Sequence, residues 1–197
     1  MHGKGKICMT TVYFVRHAEP NYENHVDRDR ELTAKGLADT ALVTRYLADK
    51  KIDAVFSSPY KRAVDTIKPF AESAGLPIVM ADGFKERAVD NAWIEDFEAF
   101  SRQQWQDFSY KLAGGESLQE VQDRSIRALS MILSHLPGKN IVIGSHGTAL
   151  STVIRYFDPS YGYEEFAKIK GLFPWIVRFE FRKNAAPKIE YINVFEQ

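Results

Sequence analysis

Short apolar runs alternate along this chain with segments of helical periodicity, and this alternation limits the fold more than any other feature. Residues 12–15 form the first run, which contains two β-branched and two aromatic side chains with no polar interruption. Such a run is typical of a strand that is buried on both faces, as in a parallel sheet. Further apolar runs at residues 52–57, 76–80 and 141–145 predict three more strands of the same kind.

This alternation of predicted strands and helices predicts an α/β fold of three layers, in which helices cover both faces of a mostly parallel central sheet. Residues 175–181 and 189–194 alternate apolar with polar side chains, which predicts an antiparallel hairpin at the sheet edge. Residues 88–115 are rich in aromatic and acidic side chains and do not continue the alternation of strands and helices. We therefore expect an inserted lid of one or two short helices. We interpret residues 1–197 as a single domain, with residues 1–8 as a flexible leader.

Local signals predict where several helices begin and end. Thr33 is a candidate N-cap, and Ser117 with Glu120 has the spacing of a capping box. Ser58 followed by Pro59 is a second start signal, because serine caps helices and proline favours the first helical position. Predicted helices cover residues 34–48, 59–74, 118–136 and 147–156.

Overall charge and cysteine content exclude some classes of protein. The 26 basic residues balance 26 acidic ones, which argues against general attraction to nucleic acid or to an anionic membrane. No apolar stretch reaches the roughly 18 residues that a membrane-spanning helix requires. Because Cys8 is the only cysteine, no internal disulfide can form, and we expect a cytoplasmic location.

Cationic side chains stand at the carboxyl ends of three predicted strands. Arg16 and His17 end the first strand, Arg62 follows the second by a few residues, and His146 directly follows the strand at residues 141–145. Ligands of open α/β sheets bind outside the carboxyl ends of the strands, where these residues would meet. Arginine presents a rigid fork to phosphate oxygens, and helix N-termini add backbone donors. The pattern therefore predicts a phosphate site.

The motifs around these residues resemble the histidine phosphatase superfamily, whose fold is that of the phosphoglycerate mutases. The resemblance extends from residue 12 to residue 150 and keeps the order of the family's motifs. The motifs are VRHAE at residues 15–19, LTAKG at 32–36, SSPYKRA at 57–63, GESL at 115–118 and SHGT at 145–148.

The resemblance implies that His17 is a nucleophile that becomes transiently phosphorylated. It also implies that Arg16, Arg62 and His146 hold the phosphoryl oxygens and that Glu86 is the acid/base carboxylate. The chemistry agrees with these roles, since neighbouring arginines lower the pKa of a histidine and neutralise charge on the transferred group. A carboxylic acid can protonate the leaving alcohol, and no metal or other cofactor is required.

Two positions depart from the family pattern. The family places a phosphate-binding asparagine about six residues after the nucleophile, and here both Asn21 and Asn24 lie near that distance; we favour Asn24 as a substrate-binding residue. Pro20 also alters the loop that follows the nucleophile.

Other acidic residues near Glu86 could also serve as the proton donor. Asp90, Glu95 and Asp96 follow Glu86 closely in the chain and are alternatives for the proton donor.

We therefore expect a metal-independent phosphatase that hydrolyses a small phosphorylated metabolite, with no nucleic-acid or membrane partner. One alternative is mutase-type phosphoryl transfer, which is less favoured because residues 88–115 offer few basic side chains. A catalytically silent phospho-ligand-binding module is a second alternative. A serine hydrolase using Ser145 is disfavoured, because Ile143 stands where the nucleophile elbow requires glycine.

Overall fold

The computed structural model describes residues 9–90 and 94–196, and the strands of this part form a six-stranded sheet. The predicted leader at residues 1–8 and the lid residue Trp93 lie outside the described residues. The strands are β1 (Met9–Arg16), β2 (Ala54–Ser57), β3 (Ile78–Met80), β4 (Asn140–Ser145), β5 (Trp175–Arg182) and β6 (Lys188–Ile192).

The strand order is β3-β2-β4-β1-β5-β6. Pairing is parallel among β1, β4, β2 and β3, whereas β5 runs antiparallel to both β1 and β6. The predicted α/β fold with an antiparallel edge hairpin is thus confirmed. Because β1, β4 and β2 are parallel neighbours at the centre of the sheet, their carboxyl ends lie side by side at one edge.

Helices cover both faces of the sheet. They are α1 (Ala34–Leu47), α2 (Lys61–Ala74), α3 (Phe97–Gln106), α4 (Leu118–His135), α5 (Gly147–Phe157) and α6 (Tyr163–Ile169). Short 3₁₀ turns occupy Asp82–Phe84 and Val194–Glu196.

The central strand β1 contributes to two separate cores. Val12 and Phe14 point into a core formed with α4, α5 and α6, while Tyr13 and Val15 point into a core formed with α1 and α2. All four side chains are buried, as the uninterrupted apolar run predicts. This alternation fixes the register of β1, because a slip of one residue would exchange its two faces.

Two of the three predicted helix caps are confirmed and one is wrong. The hydroxyl of Thr33 accepts from the amide of Gly36, and the capping box of Ser117 and Glu120 is present in both directions. The prediction at Ser58 is wrong, because α2 begins at Lys61 and its N-cap residue, Tyr60, makes no side-chain cap. The hydroxyl of Ser58 accepts from the amide of Tyr60 at 3.2 Å and also makes a hydrogen bond in the candidate site described below.

The inserted segment contains one α-helix, α3, within its described residues. Trp105 of this helix is buried and packs against Phe166 of α6, with ring centroids 5.4 Å apart. The α6 helix was not predicted, since its seven residues give too short a pattern to detect. Together α3 and α6 close one side of the sheet edge that carries the candidate site.

Candidate active site

The candidate site is built on the carboxyl ends of three parallel strands. Arg16 at the end of β1 pairs with Ser145 at the end of β4. The amide of His17 donates to the carbonyl of Ser145 at 3.1 Å, and the amide of Ser58 donates to the carbonyl of Gly144 at 2.8 Å. The sheet register therefore brings these distant parts of the chain to one place.

A cavity of about 700 Å³ opens at this edge. Four of the residues singled out from the sequence line it: Arg16, His17, Arg62 and Glu86. Its remaining wall mixes charged with apolar side chains, and includes Tyr22, Asp27, Arg30, Tyr60, Arg87, Asp90, Ile94, Phe97, Phe166 and Lys170. This volume is in the range of small-molecule sites.

The imidazole of His17 is held in one tautomer. Its Nδ1 lies 2.8 Å from the carbonyl oxygen of Ala18, and since a carbonyl can only accept, Nδ1 must carry the proton. Among residues 9–90 and 94–196, no hydrogen bond is made to Nε2. The nitrogen lone pair at Nε2 is therefore available for attack on a ligand.

The surroundings of His17 favour its neutral form. Burial holds the pKa of His17 well below its usual value of 6.5, and the positive charges of Arg62 and Arg16 lower this pKa further. A neutral imidazole at neutral pH is what nucleophilic attack requires.

His146 lies behind His17 rather than on the cavity surface. The two rings meet edge to face with centroids 5.3 Å apart, and His146 is completely buried. Its Nε2 shares a hydrogen bond of 2.8 Å with the hydroxyl of Ser58. Burial, followed by the charge of Arg62, holds the pKa of His146 well below 6.5.

Arg16 is bound mainly to backbone. Its Nη1 donates to the carbonyls of Ile169 and Leu172, and its Nη2 donates to the carbonyl of Lys170 at 3.1 Å. Its Nε is buried and has no partner within the described part of the chain. A Cβ on Gly147 would lie 3.1 Å from the guanidinium, so glycine in the SHGT motif leaves room for Arg16.

Arg62 is bound to an acidic residue of the loop that follows β1. Its side chain is 3% exposed, its Nη1 donates to the backbone carbonyl of Asp27, and its Nη2 lies 3.1 Å from Oδ1 of Asp27. The Nη1 of Arg30 lies 3.1 Å from the same Oδ1. The polar loop at residues 21–31 thus folds over the candidate site.

Glu86 reaches the N-terminus of α5. Its two carboxylate oxygens accept from the amides of Thr148 and Ala149, each at 3.1 Å, and Oε1 also accepts from the amide of Arg87 at 2.8 Å. Helix N-termini favour a carboxylate through unpaired N–H groups and the helix dipole. Glu86 therefore lies at the start of the helix that follows His146, on the cavity wall.

Two residues that the sequence did not single out hold the segment around Glu86. The guanidinium of Arg124 donates to the carbonyls of Gly83, Lys85 and Glu86. It also forms two bonds to the carboxylate of Glu116, at 2.8 and 3.0 Å. Glu116 belongs to the GESL motif, which the sequence analysis identified without predicting that this glutamate binds Arg124.

The asparagine expected to bind phosphate is engaged elsewhere. The amide nitrogen of Asn24 donates to Glu31 at 2.7 Å, and that of Asn21 donates to the other oxygen of the same carboxylate at 2.7 Å. These contacts, led by the one from Asn24, lower the pKa of Glu31 to about 2. The structure does not place Asn24 on the cavity wall with the other predicted residues.

The rival acids occupy different positions. Asp90 lines the cavity and accepts from the amide of Gly114 at 3.2 Å. Asp96 caps α3 by accepting from Ala99, and Glu95 is exposed; neither of the two lines the cavity.

No group of three or more histidine, cysteine or acidic side chains in residues 9–90 and 94–196 has the arrangement of a metal site. None of the helices in these residues is both long and apolar enough to cross a bilayer.

Comparison with known proteins identifies the family. The model of the histidine phosphatase superfamily (branch 1) matches residues 12–193. The chain belongs to this superfamily. The residues that match the family model therefore include the β5–β6 hairpin as well as the motifs recognised in the sequence.

Relatives within the superfamily carry both phosphatase and mutase names. The chain is 31% identical over 150 residues to the uncharacterized phosphatase PhoE of Bacillus subtilis, covering 74% of this chain and 76% of that protein. It is also 31% identical over 161 residues to the probable phosphoglycerate mutase GpmB of Salmonella choleraesuis, covering 74% of each.

Solved structures share the fold at lower identity. YhfR of Bacillus stearothermophilus has a TM-score of 0.78 and 20% identity, with 93% of this chain and 96% of that chain covered. The phosphoserine phosphatase of Entamoeba histolytica, in complex with 3-phosphoglyceric acid, has a TM-score of 0.75 and 21% identity, with 92% and 96% covered.

Proposed function

We propose that this protein is a phosphatase that hydrolyses a small phosphomonoester in two steps, with His17 as the transient phosphoryl acceptor. The observation that carries the proposal is the state of His17: its Nδ1–H is bound to the Ala18 carbonyl, and its Nε2 is left unprotonated beside the cavity. Membership of the superfamily and the phosphatase relatives support the same reaction.

In the first step, Nε2 of His17 attacks the phosphorus atom and the bond between phosphorus and the leaving oxygen breaks. Glu86 gives a proton to that oxygen, so the product leaves as an alcohol. Glu86 suits this role by position, because it lines the same cavity as His17 and Arg62. Arg62 and Arg16 stabilise charge on the phosphoryl oxygens, while the buried ring of His146 packs against that of His17.

In the second step, water attacks the phosphorus of phospho-His17 and gives a proton to the carboxylate of Glu86. The bond between phosphorus and Nε2 breaks, and inorganic phosphate leaves. His17 is restored without a net proton change, because its Nδ1 keeps its proton throughout and donates it in a hydrogen bond to the Ala18 carbonyl. No metal ion takes part in either step.

The test is hydrolysis of p-nitrophenyl phosphate in the presence of a chelator by the wild type and by His17→Ala. We expect the variant to lose at least about a thousandfold in kcat, as for the loss of a covalent nucleophile. His135→Ala, which changes an exposed histidine on α4, is the matched control. An acid-labile phosphoenzyme should form in the wild type and the control only. Equal rates for wild type and His17→Ala would disprove the proposal.

Substrate and reaction outcome can be separated in one assay. Two candidates named for related proteins are phosphoserine and 3-phosphoglycerate. Release of inorganic phosphate from these esters identifies a phosphatase, whereas transfer of phosphate between hydroxyls of 3-phosphoglycerate would favour the mutase alternative. A further proposal is a cytoplasmic location, which the single cysteine of the chain supports. The match of one family model to residues 12–193 supports the proposal of a single catalytic domain.

A further inference from the structure

The guanidinium of Arg62 is already occupied by an anion that belongs to the protein. Both of its terminal nitrogens contact Asp27, one through the backbone carbonyl and one through the carboxylate at 3.1 Å. The carboxylate also lies 3.1 Å from Arg30, so two arginines hold it between them. Two arginines that converge on one oxyanion form the arrangement that would hold a phosphoryl group.

We propose that Asp27 sets the affinity of the site for phosphate, because its carboxylate occupies Arg62 in the free enzyme and the phosphoryl group displaces it. The inference rests on the proposed function, in which Arg62 holds the phosphoryl oxygens. Asp27, Arg30 and Arg62 all line the cavity, so an incoming anion meets this cluster directly.

Exposure makes the exchange feasible. The Asp27 side chain is 43% exposed and can be solvated when it leaves, while the Arg62 side chain is 3% exposed and needs an anionic partner at all times. Among the described residues, Asp27 is the one carboxylate within ion-pair distance of Arg62. Substrate therefore replaces one anionic partner of Arg62 by another, and the return of Asp27 assists the departure of phosphate.

Contacts other than that of the Asp27 carboxylate with Arg30 also hold the loop. Arg30 donates through Nε to the carbonyl of Asn24 at 2.8 Å, and the amide of Lys61 donates to the carbonyl of Arg28 at 2.9 Å. The side chain of Asn24 is bound to Glu31. Asp27→Asn keeps the backbone carbonyl that binds Arg62 and removes only the charge of the side chain.

The test is the dissociation constant of inorganic phosphate, measured by calorimetry for wild type, Asp27→Asn and Asp29→Asn. Asp29→Asn removes the same charge from the same loop, and no ion pair of Asp29 occurs within the described residues. We expect Asp27→Asn to bind phosphate about two- to fivefold more tightly, the range for loss of a partly exposed ion pair, and Asp29→Asn to match the wild type. Unchanged or weaker binding by Asp27→Asn, or equal tightening in both variants, would overturn the proposal.

A second measurement uses the wild type alone and so does not depend on how the variants fold. The side-chain carboxyl ¹³C resonance of Asp27 should shift as phosphate saturates the protein, while that of Asp29 stays in place. An unshifted Asp27 resonance at saturation contradicts displacement. Because both measurements use inorganic phosphate without turnover, failure of the phosphatase assay and failure of this inference give different results.

Discussion

The ring of Phe173 lies nearly parallel to the imidazole of His17, with ring centroids 5.5 Å apart and 26° between the planes. The guanidinium carbon of Arg16 lies 3.9 Å from the centroid of the same Phe173 ring. Arg16 also binds carbonyls of Ile169, Lys170 and Leu172, just before Phe173. Arg16 therefore fastens the segment after α6 to the end of β1, and this segment fixes the plane of the nucleophile.

Phe173→Leu removes the flat ring and keeps an apolar side chain. We expect kcat to fall about tenfold with KM nearly unchanged, because an imidazole that is held by its Nδ1 hydrogen bond alone spends less time aligned for attack. Steady-state kinetics with p-nitrophenyl phosphate measures both constants. Phe195→Leu changes a phenylalanine at the far end of the chain, in the second 3₁₀ turn, and is the control. Wild-type kcat for Phe173→Leu would show that Phe173 does not position His17.

Glu86→Gln removes the proton donor but keeps hydrogen-bonding atoms at the N-terminus of α5. Hydrolysis of an alkyl phosphate should fall by about two orders of magnitude or more, whereas p-nitrophenyl phosphate, with its stable leaving group, should lose much less. The readout is the ratio of kcat/KM for the two esters. Glu95→Gln is the matched control, because that exposed side chain does not line the cavity. Equal losses on both esters would assign the acid role to another carboxylate, with Asp90 next to test.

The fold and the centre of the site could be predicted because both depend on local patterns. The apolar run of β1 predicts a doubly buried strand, and the parallel order of strands brings Arg16, His17 and the SHGT motif together. Ser58 shows the limit of local rules. Its sequence context indicates a helix cap, yet its hydroxyl lies 2.8 Å from His146, which is remote in the chain.

The remaining parts of the site depend on long-range contacts that leave no periodic signal. Asp27 meets Arg62 across 35 positions of sequence, and Arg16 reaches the last residue of α6 across 153. Phe173 is a single aromatic residue between two elements, and nothing in its neighbours indicates that it covers His17. Asn24 follows the family spacing only approximately, and the structure binds it to Glu31.

Arg124→Lys tests how the Glu86 segment is supported. A lysine cannot make both the paired contact to Glu116 and the bonds to three backbone carbonyls. We expect a loss of about 2 kcal/mol in the free energy of unfolding, below the cost of breaking a fully buried pair because both side chains are partly exposed. Urea denaturation measures the change, and kcat should fall as Glu86 loses its support. Arg127→Lys on the same helix is the control; equal stability of the two variants would contradict the role given to Arg124.

Two buried neutral histidines should make stability sensitive to acid. His17 and His146 both have pKa values well below 6.5 in the folded protein, mainly because of burial, while in the unfolded chain they titrate near 6.5. Below this pH the unfolded state therefore binds more protons, so the free energy of unfolding is fully present above about pH 6.5 and falls as the pH decreases towards the folded pKa values. Each histidine contributes a slope of up to about 1.4 kcal/mol per pH unit in that window.

His146→Gln isolates one of these two contributions, since an amide can still hydrogen-bond to Ser58 but does not titrate. Urea denaturation between about pH 5 and about pH 7 measures how the free energy of unfolding depends on pH. The slope should be smaller in this variant than in the wild type, by the amount that a single buried histidine contributes. His135→Gln removes an exposed histidine and should keep the wild-type slope. If His146→Gln and the wild type lost stability in parallel on acidification, the buried histidines would not be the groups that make the fold acid-sensitive.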